Sequence, residues 1–169
     1  MDKIAVTTKL SIEDYIKVNY HLFYRRWPAK LILGLGIFML LMFSLSLFSN
    51  EFSLSSLIAL IFPLLMIAGL PTNIYFAAKK SYNKNARISE PIRYEFEKEY
   101  IEVIGESFNS KQTWDKIYSV TETKDWVLIW QNQQVANVIP KKDFKNNEFK
   151  AFAEIVKTHQ SIKNRLRNT

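Results

Sequence analysis

Polar and apolar positions divide this chain into two parts that obey different rules. Leu31 to Asn50 holds no Asp, Glu, Lys, Arg or His, and neither does Phe52 to Ala78; only Glu51 separates the two runs. A bilayer's hydrocarbon core is about 30 Å thick and a helix rises about 1.5 Å per residue. Leu31–Phe48, roughly 27 Å as a helix, crosses with little tilt, whereas Phe52–Ala78, roughly 40 Å, needs tilt, a kink or an interfacial start at Ser53–Ser56. The pattern predicts a transmembrane hairpin over 29–80, with spans at about 31–49 and 54–78. Twelve Leu, Ile or Phe residues in the first span favour insertion by at most about 4–7 kcal/mol. A core hairpin of a soluble protein would need burial on all faces, which a small domain rarely supplies. A cleaved signal peptide has a shorter apolar run and no second span directly behind it.

Outside the hairpin the period changes. Ile4, Val6, Thr8 and Leu10 alternate with Lys3, Thr7 and Lys9, which suits a strand. Ser11-Ile12-Glu13-Asp14 then approximates a capping box. A helix over 11–27 follows, with Ile12, Ile16, Phe23 and Trp27 along one side, until Pro28 interrupts it or opens the first span. Residues 1–28 therefore read as a strand and an amphipathic juxtamembrane helix, whose aromatic stripe is expected on lipid or on the soluble domain. After Arg87, strands are predicted at 92–96, 100–104, 112–120, 126–130 and 134–139, with turns at 105–110 and 131–133. Pro140 stops the last strand, and Asp143 or Asn147 can cap a helix carrying Phe152, Ile155, Val156, Ile162 and Leu166 on its apolar side. Residues 88–169 form a domain to which strand 4–10 can add a sixth strand. The fold class is membrane α+β: a two-helix hairpin plus an antiparallel sheet closed by a C-terminal helix, in the order of a pleckstrin-homology-like (PH-like) half-barrel. That likeness is architectural and warrants no function.

Charge adds sidedness. Of the net charge of +7, residues 1–87 carry ten Lys/Arg against four Asp/Glu, and residues 88–169 thirteen against twelve. The basic excess flanks the spans: Arg25, Arg26 and Lys30 before, Lys79, Lys80, Lys84 and Arg87 after. The turn Ser49-Asn50-Glu51 has none. The positive-inside rule puts both termini in the cytoplasm. Tyr20, Phe23, Tyr24, Trp27, Tyr75, Phe76 and Tyr82 mark the same interface. A nucleic-acid binder would carry the excess on its soluble domain, so nucleic acid is not an expected partner. Cysteine is absent, which removes disulfides, cysteine zinc sites and thiol chemistry.

Within the spans, Pro63, Pro71 and Asn73 offer a hinge or a polar contact between helices. An ordinary kink with Asn73 near the headgroups is the simpler account. Gly34 and Gly36 offer close helix packing without a GxxxG spacing. In the soluble domain, Trp114, Pro140, Lys141 and Lys142 are the candidate interaction residues. Core packing explains Trp114, Trp126 and Trp130 most simply. Lys141 and Lys142, with Lys145 and Lys150, form a basic patch that strengthens lipid binding if it faces a bilayer. Glu95 and Glu97 share the strand face opposite the apolar one, which reads as solvated. His21 reads as a surface histidine and His159 as a core or edge one. No HExxH, GxSxG, Walker A or Gly-rich phosphate loop occurs, so no catalytic, cofactor-binding or metal residues are assigned.

The run Trp114-Asp115-Lys116-Ile117-Tyr118-Ser119-Val120-Thr121-Glu122-Thr123, the strand Val127-Leu128-Ile129-Trp130 and the stretch Ala136-Asn137-Val138-Ile139-Pro140-Lys141-Lys142-Asp143-Phe144 resemble the YcxB-like membrane proteins of bacteria over roughly 90–155. The order of an N-terminal segment, two spans and a domain resembles them along the whole chain. The resemblance implies a membrane protein and supplies no catalytic residues. Together these readings give a non-enzymatic, multi-pass protein of a bacterial inner membrane. Its domain would bind a protein or lipid headgroups at the cytoplasmic leaflet, without a cofactor. The second expectation is a small immunity or envelope-stress protein that meets a membrane-protein partner through Gly34, Gly36 and Asn73. Homo-oligomerisation is left open.

Overall fold

The computed structural model describes residues 3–47 and 54–166. The turn expected at Ser49-Asn50-Glu51 lies outside the described residues, as do Phe48, Ser53 and Arg167. The chain forms two compact units: a helical one from Ser11 to Asn85, and one joining the residues up to Leu10 with those from Ala86 onward.

In the helical unit, α1 (Ile12–Arg25) starts where Ser11 Oγ accepts from the Asp14 N–H at 3.0 Å. Such a bond satisfies one of the four free donors of a first turn. Arg26 is extended and separates α1 from α2 (Trp27–Ser46). Pro28 stands in the first turn of α2, where its missing N–H leaves no bond unmade. α3 (Leu54–Lys84) continues through both Pro63 and Pro71 for 31 residues, roughly 46 Å. Its last turns carry α1: the Tyr15 hydroxyl lies 3.4 Å from Ser81 Oγ, and the Tyr20 hydroxyl donates to the Pro71 carbonyl at 2.7 Å. The Tyr15 and Tyr82 rings meet at 6.0 Å. Tyr15, Tyr20 and Tyr82 thus pack α1 on α3 within the helical unit; Tyr15 and Tyr20 lie outside the side of α1 that carries Ile12, Ile16 and Phe23.

The second unit holds two four-stranded sheets, ordered β1-β2-β3-β4 and β7-β6-β5-β8. β1 (Ile4–Thr8) pairs antiparallel with β2 (Ile92–Phe96), Ile4 opposite Phe96 and Thr8 opposite Ile92. The chain thus leaves the first sheet after β1, makes the whole helical unit, and re-enters through the short α4 (Ala86–Ser89) at the neighbouring strand. The added N-terminal strand is borne out. β3 (Tyr100–Ile104) and β4 (Asn109–Thr113) complete the first sheet; β5 (Ser119–Glu122), β6 (Trp126–Trp130) and β7 (Ala136–Pro140) build the second.

Two expected elements differ. The single strand predicted over 112–120 is two strands in different sheets, joined by a 3-10 turn at Trp114–Lys116. Trp114 drives that change: it is 1% exposed, and its Nε1 donates to the Glu97 carbonyl at 2.8 Å, so its ring fills the core where the chain passes between sheets. The C-terminal helix is also shorter. α5 (Glu148–Thr158) ends where the Thr158 hydroxyl donates to the Ile155 carbonyl at 2.6 Å and His159 Nδ1 lies 2.9 Å from the same oxygen. The next residues form β8 (Lys163–Arg165), parallel to β5. Ile162 is still buried and Leu166 still packs against the core. That core is aromatic: Phe96 and Phe152 centroids are 4.7 Å apart, with Trp114 and Phe144 around them.

Candidate interaction site

Among the described residues of the sheet unit three carboxylates are buried, and each is held by a named partner. Glu95 sits on the outer face of β2, yet it is only 6% exposed at its side chain. Lys3, just before β1, reaches it at 2.5 Å and Arg93 at 2.9 Å. The hydrogen bond to Lys3 holds the Glu95 carboxyl below the usual carboxylate range, against the opposing effect of burial, and raises the Lys3 ammonium. The solvated-face reading is thus corrected for Glu95, because two cations cover it. On the same face the Lys111 ammonium lies 3.4 Å from the Tyr100 ring centroid. A hydrogen bond to Glu97 is the main cause pushing that phenol up to about 12. Glu122, 2% exposed at its side chain, pairs with Lys141 Nζ at 2.5 Å. Glu90 accepts from the Ser107 hydroxyl at 2.9 Å. A Cβ added at Gly105 would lie 2.5 Å from both Glu90 Oε1 and the Phe108 ring, so glycine here lets the β3–β4 turn close over the carboxylate.

The candidate interaction residues occupy unlike positions. Trp114 and Pro140 are buried, so their side chains form no exposed contact. The Lys141 ammonium, besides its Glu122 pair, lies 4.8 Å from the Phe149 ring centroid and serves the packing of α5. Lys142, Lys145 and Lys150 are exposed. Trp126 and Leu128 are buried, but outside the main core cluster that holds Val127 and Ile129. Alternation puts them on the second face of their sheet. His159 stacks on Trp114, centroids 5.2 Å apart. His21 is exposed on α1. Among the described residues no group of three His, Asp or Glu side chains converges to hold a metal ion.

The intramembrane candidates separate in the same way. Gly36 is buried between helices: a Cβ there would meet Ile67 Cγ1 at 3.1 Å and the Pro63 carbonyl at 3.7 Å. Gly34 has nothing within 4 Å. Gly69 and Asn73 line an open face of α3 with Ala68, Thr72 and Ala77. Gly36 therefore belongs to the inner seam of the hairpin, and Asn73 lies on an outward surface.

One concavity escaped the sequence reading altogether. A groove of about 360 Å3 runs between β1 and α5, with Ile4, Ala5, Ala151 and Ile155 as its apolar lining and Lys3, Asn147 and Glu148 at its polar positions. Its walls are far apart in the chain, so no local motif announces it. Small residues at 5 and 151 were the available signal.

The segment from the Phe96 end of β2 through most of α5 is the part with a recognisable likeness. Residues 96–156 match the family model described as YcxB-like protein. No curated protein and no solved structure shows significant similarity to the chain. The YcxB-like segment contains Trp114, the Glu122–Lys141 pair and the α5 wall of the groove; β1, the other wall, lies outside it.

Proposed function

We propose that the protein is a non-enzymatic, two-span protein of a bacterial inner membrane that presents its YcxB-like unit, a PH-like half-barrel, at the cytoplasmic leaflet for binding. The insertion of the helices between β1 and β2 carries this reading. Because Thr8 and Ile92 pair, the chain must return to the side of the membrane it left, and two spans do that where one cannot. α2 and α3 are long and apolar enough to cross, and few of their residues are buried within the chain, unlike a core helix. Basic flanks and the lack of basic residues between the spans favour a cytoplasmic sheet unit. The two packed sheets and the following helix support the PH-like description. The buried carboxylates are engaged in ion pairs or hydrogen bonds, which favours a binding role over acid–base chemistry. Lys141 is tied to Glu122, which shrinks the basic patch and favours a protein partner over headgroups. The open Gly69–Asn73 face supports the second reading, an immunity or envelope-stress protein that acts through its hairpin.

The native chain has no thiol, so single cysteines report sidedness cleanly. In intact cells an impermeant maleimide should label Ser49→Cys, and should label Asn109→Cys only after lysis. Reversed labelling sinks the orientation. Full-length protein that stays monodisperse in buffer without amphiphile sinks the anchoring.

A further inference from the structure

We infer that the groove between β1 and α5 is a strand-addition site for an extended peptide segment of a partner protein. The inference deepens the protein-binding role proposed above and rests on it. β1 is an edge strand, hydrogen-bonded to β2 alone. Among the described residues, 3–8 make no backbone hydrogen bond on the side away from β2. A strand edge with unpaired N–H and C=O groups is a template for another extended backbone. Native edges are usually blunted by proline, a bulge or a covering element. β1 has no proline and pairs with β2 residue for residue, without a bulge.

The space beside this edge sets the occupant's chemistry. Ala5 and Ala151 are small and leave the groove of about 360 Å3 above Ile4 and Ile155, a volume within the range of ligand sites. An extended segment alternates its side chains. One aliphatic side chain entering the groove would bury apolar surface on the half-buried Ala5 and Ala151, while its neighbours turn to water or to the Asn147 amide. α5 stands directly beside β1 and bounds the groove. A lone peptide segment fits that boundary, whereas a second copy's β1 would bring its own β2 and α5. The edge supplies main-chain affinity and the groove selects the side chain, the division of labour of strand-adding recognition modules.

The test uses the full-length chain in nanodiscs, panned against a phage-displayed library of random dodecapeptides. The expected result is a set of binders sharing alternation with one aliphatic position. Their affinity should fall at least tenfold in Ala151→Arg, which fills the groove from a half-buried position of α5, and stay unchanged in Lys150→Ala on the outer side of α5. A bound peptide should slow amide exchange in residues 4–7. Thermal melts of the two variants separate lost binding from lost folding. If Ala151→Arg melts early, the exchange pattern with wild-type protein decides alone. No binders, binders indifferent to Ala151→Arg, or binders that leave residues 4–7 unprotected each overturn the inference. So does concentration-dependent protection of residues 4–7 without peptide, which assigns the edge to a second copy. All these outcomes leave membrane anchoring standing, since only nanodisc-inserted protein is panned.

Discussion

The two units are built from the same residue types turned inside out. Nearly all the exposed large apolar side chains lie between Trp27 and Phe76, Tyr118 and Val135 excepted; nearly all the buried ones lie in the sheet unit, where Phe96, Val127, Leu128, Ile129 and Phe152 are inaccessible. Water drives the second arrangement by removing apolar surface at roughly 25 cal/mol per Å2. It cannot drive the first, where helices meet through close contacts such as Gly36 on Ile67 and through satisfaction of polar groups such as the Tyr20 hydroxyl. With the helices placed in a bilayer as proposed, each unit needs a different solvent, although one sheet strand precedes the helices and its neighbour follows them.

The sharpest way to break that contrast is to separate the units. A fragment beginning at Ala86 loses Ile4 and Val6 from the core. At about 1.5–3 kcal/mol per buried side chain, roughly 3–6 kcal/mol goes with them, much of a typical domain's stability of about 5–15 kcal/mol. It should aggregate or unfold. A chain in which Thr8 is joined to Ile92 through an Asn-Gly turn keeps the β1–β2 register, and should be soluble and cooperative in denaturant without detergent. If the fragment proves as stable as the rejoined chain, β1 is an accessory and the insertion argument fails.

The next largest effect belongs to the Glu122–Lys141 pair. Lys141→Met should destabilise the sheet unit by about 3–5 kcal/mol, because it takes the ammonium partner away from a buried carboxylate. Glu122→Gln combined with Lys141→Met should recover most of that loss in denaturant titrations. Gly105→Ala should cost about 1–3 kcal/mol, since its methyl overlaps both Glu90 and Phe108.

These cases show what the sequence could and could not disclose. Uncharged runs and period-two alternation are local, and α2, α3, β1, β2, β3 and β6 were legible from them. Trp114 was legible as core, but the sheet crossing it causes was not, since Gln112 to Val120 reads as one alternating strand. The end of α5 was hidden because it depends on side-chain bonds at Thr158 and His159, with no glycine or proline to mark it. Glu95 looked solvated because its principal partner, Lys3, stands on the far side of the hairpin in sequence. The β1–α5 groove stayed unseen for the same reason. Non-local pairings decide which charges are covered and where space remains.

Within the hairpin, Gly36→Leu should lower the melting temperature in micelles, because its Cβ starts 3.1 Å from Ile67, whereas Gly34→Leu, with open space around it, should not. Equal melting of the two would place the α2–α3 seam elsewhere.

The smallest expected effect is the most specific to the joint between chain segments. The Glu95 carboxyl titrates below its unfolded value because Lys3 donates a hydrogen bond to it. A group whose pKa is lowered by folding stabilises the native state above its unfolded pKa, near 4.3 for Glu, and loses that contribution as pH falls through the folded value. β1 should therefore loosen before the rest of the sheet unit on acidification. Protection factors at residues 4–7, taken against the intrinsic exchange rate at each pH, should fall below about pH 4.3 while β6 amides stay protected. In Glu95→Gln there is no carboxylate to titrate, so the same amides should be less protected at neutral pH and their protection should change less with acid. A Glu95→Gln profile that still follows wild type through this range would show that the Lys3 contact does not hold the edge, and β1 would then owe its place to Ile4 and Val6 alone.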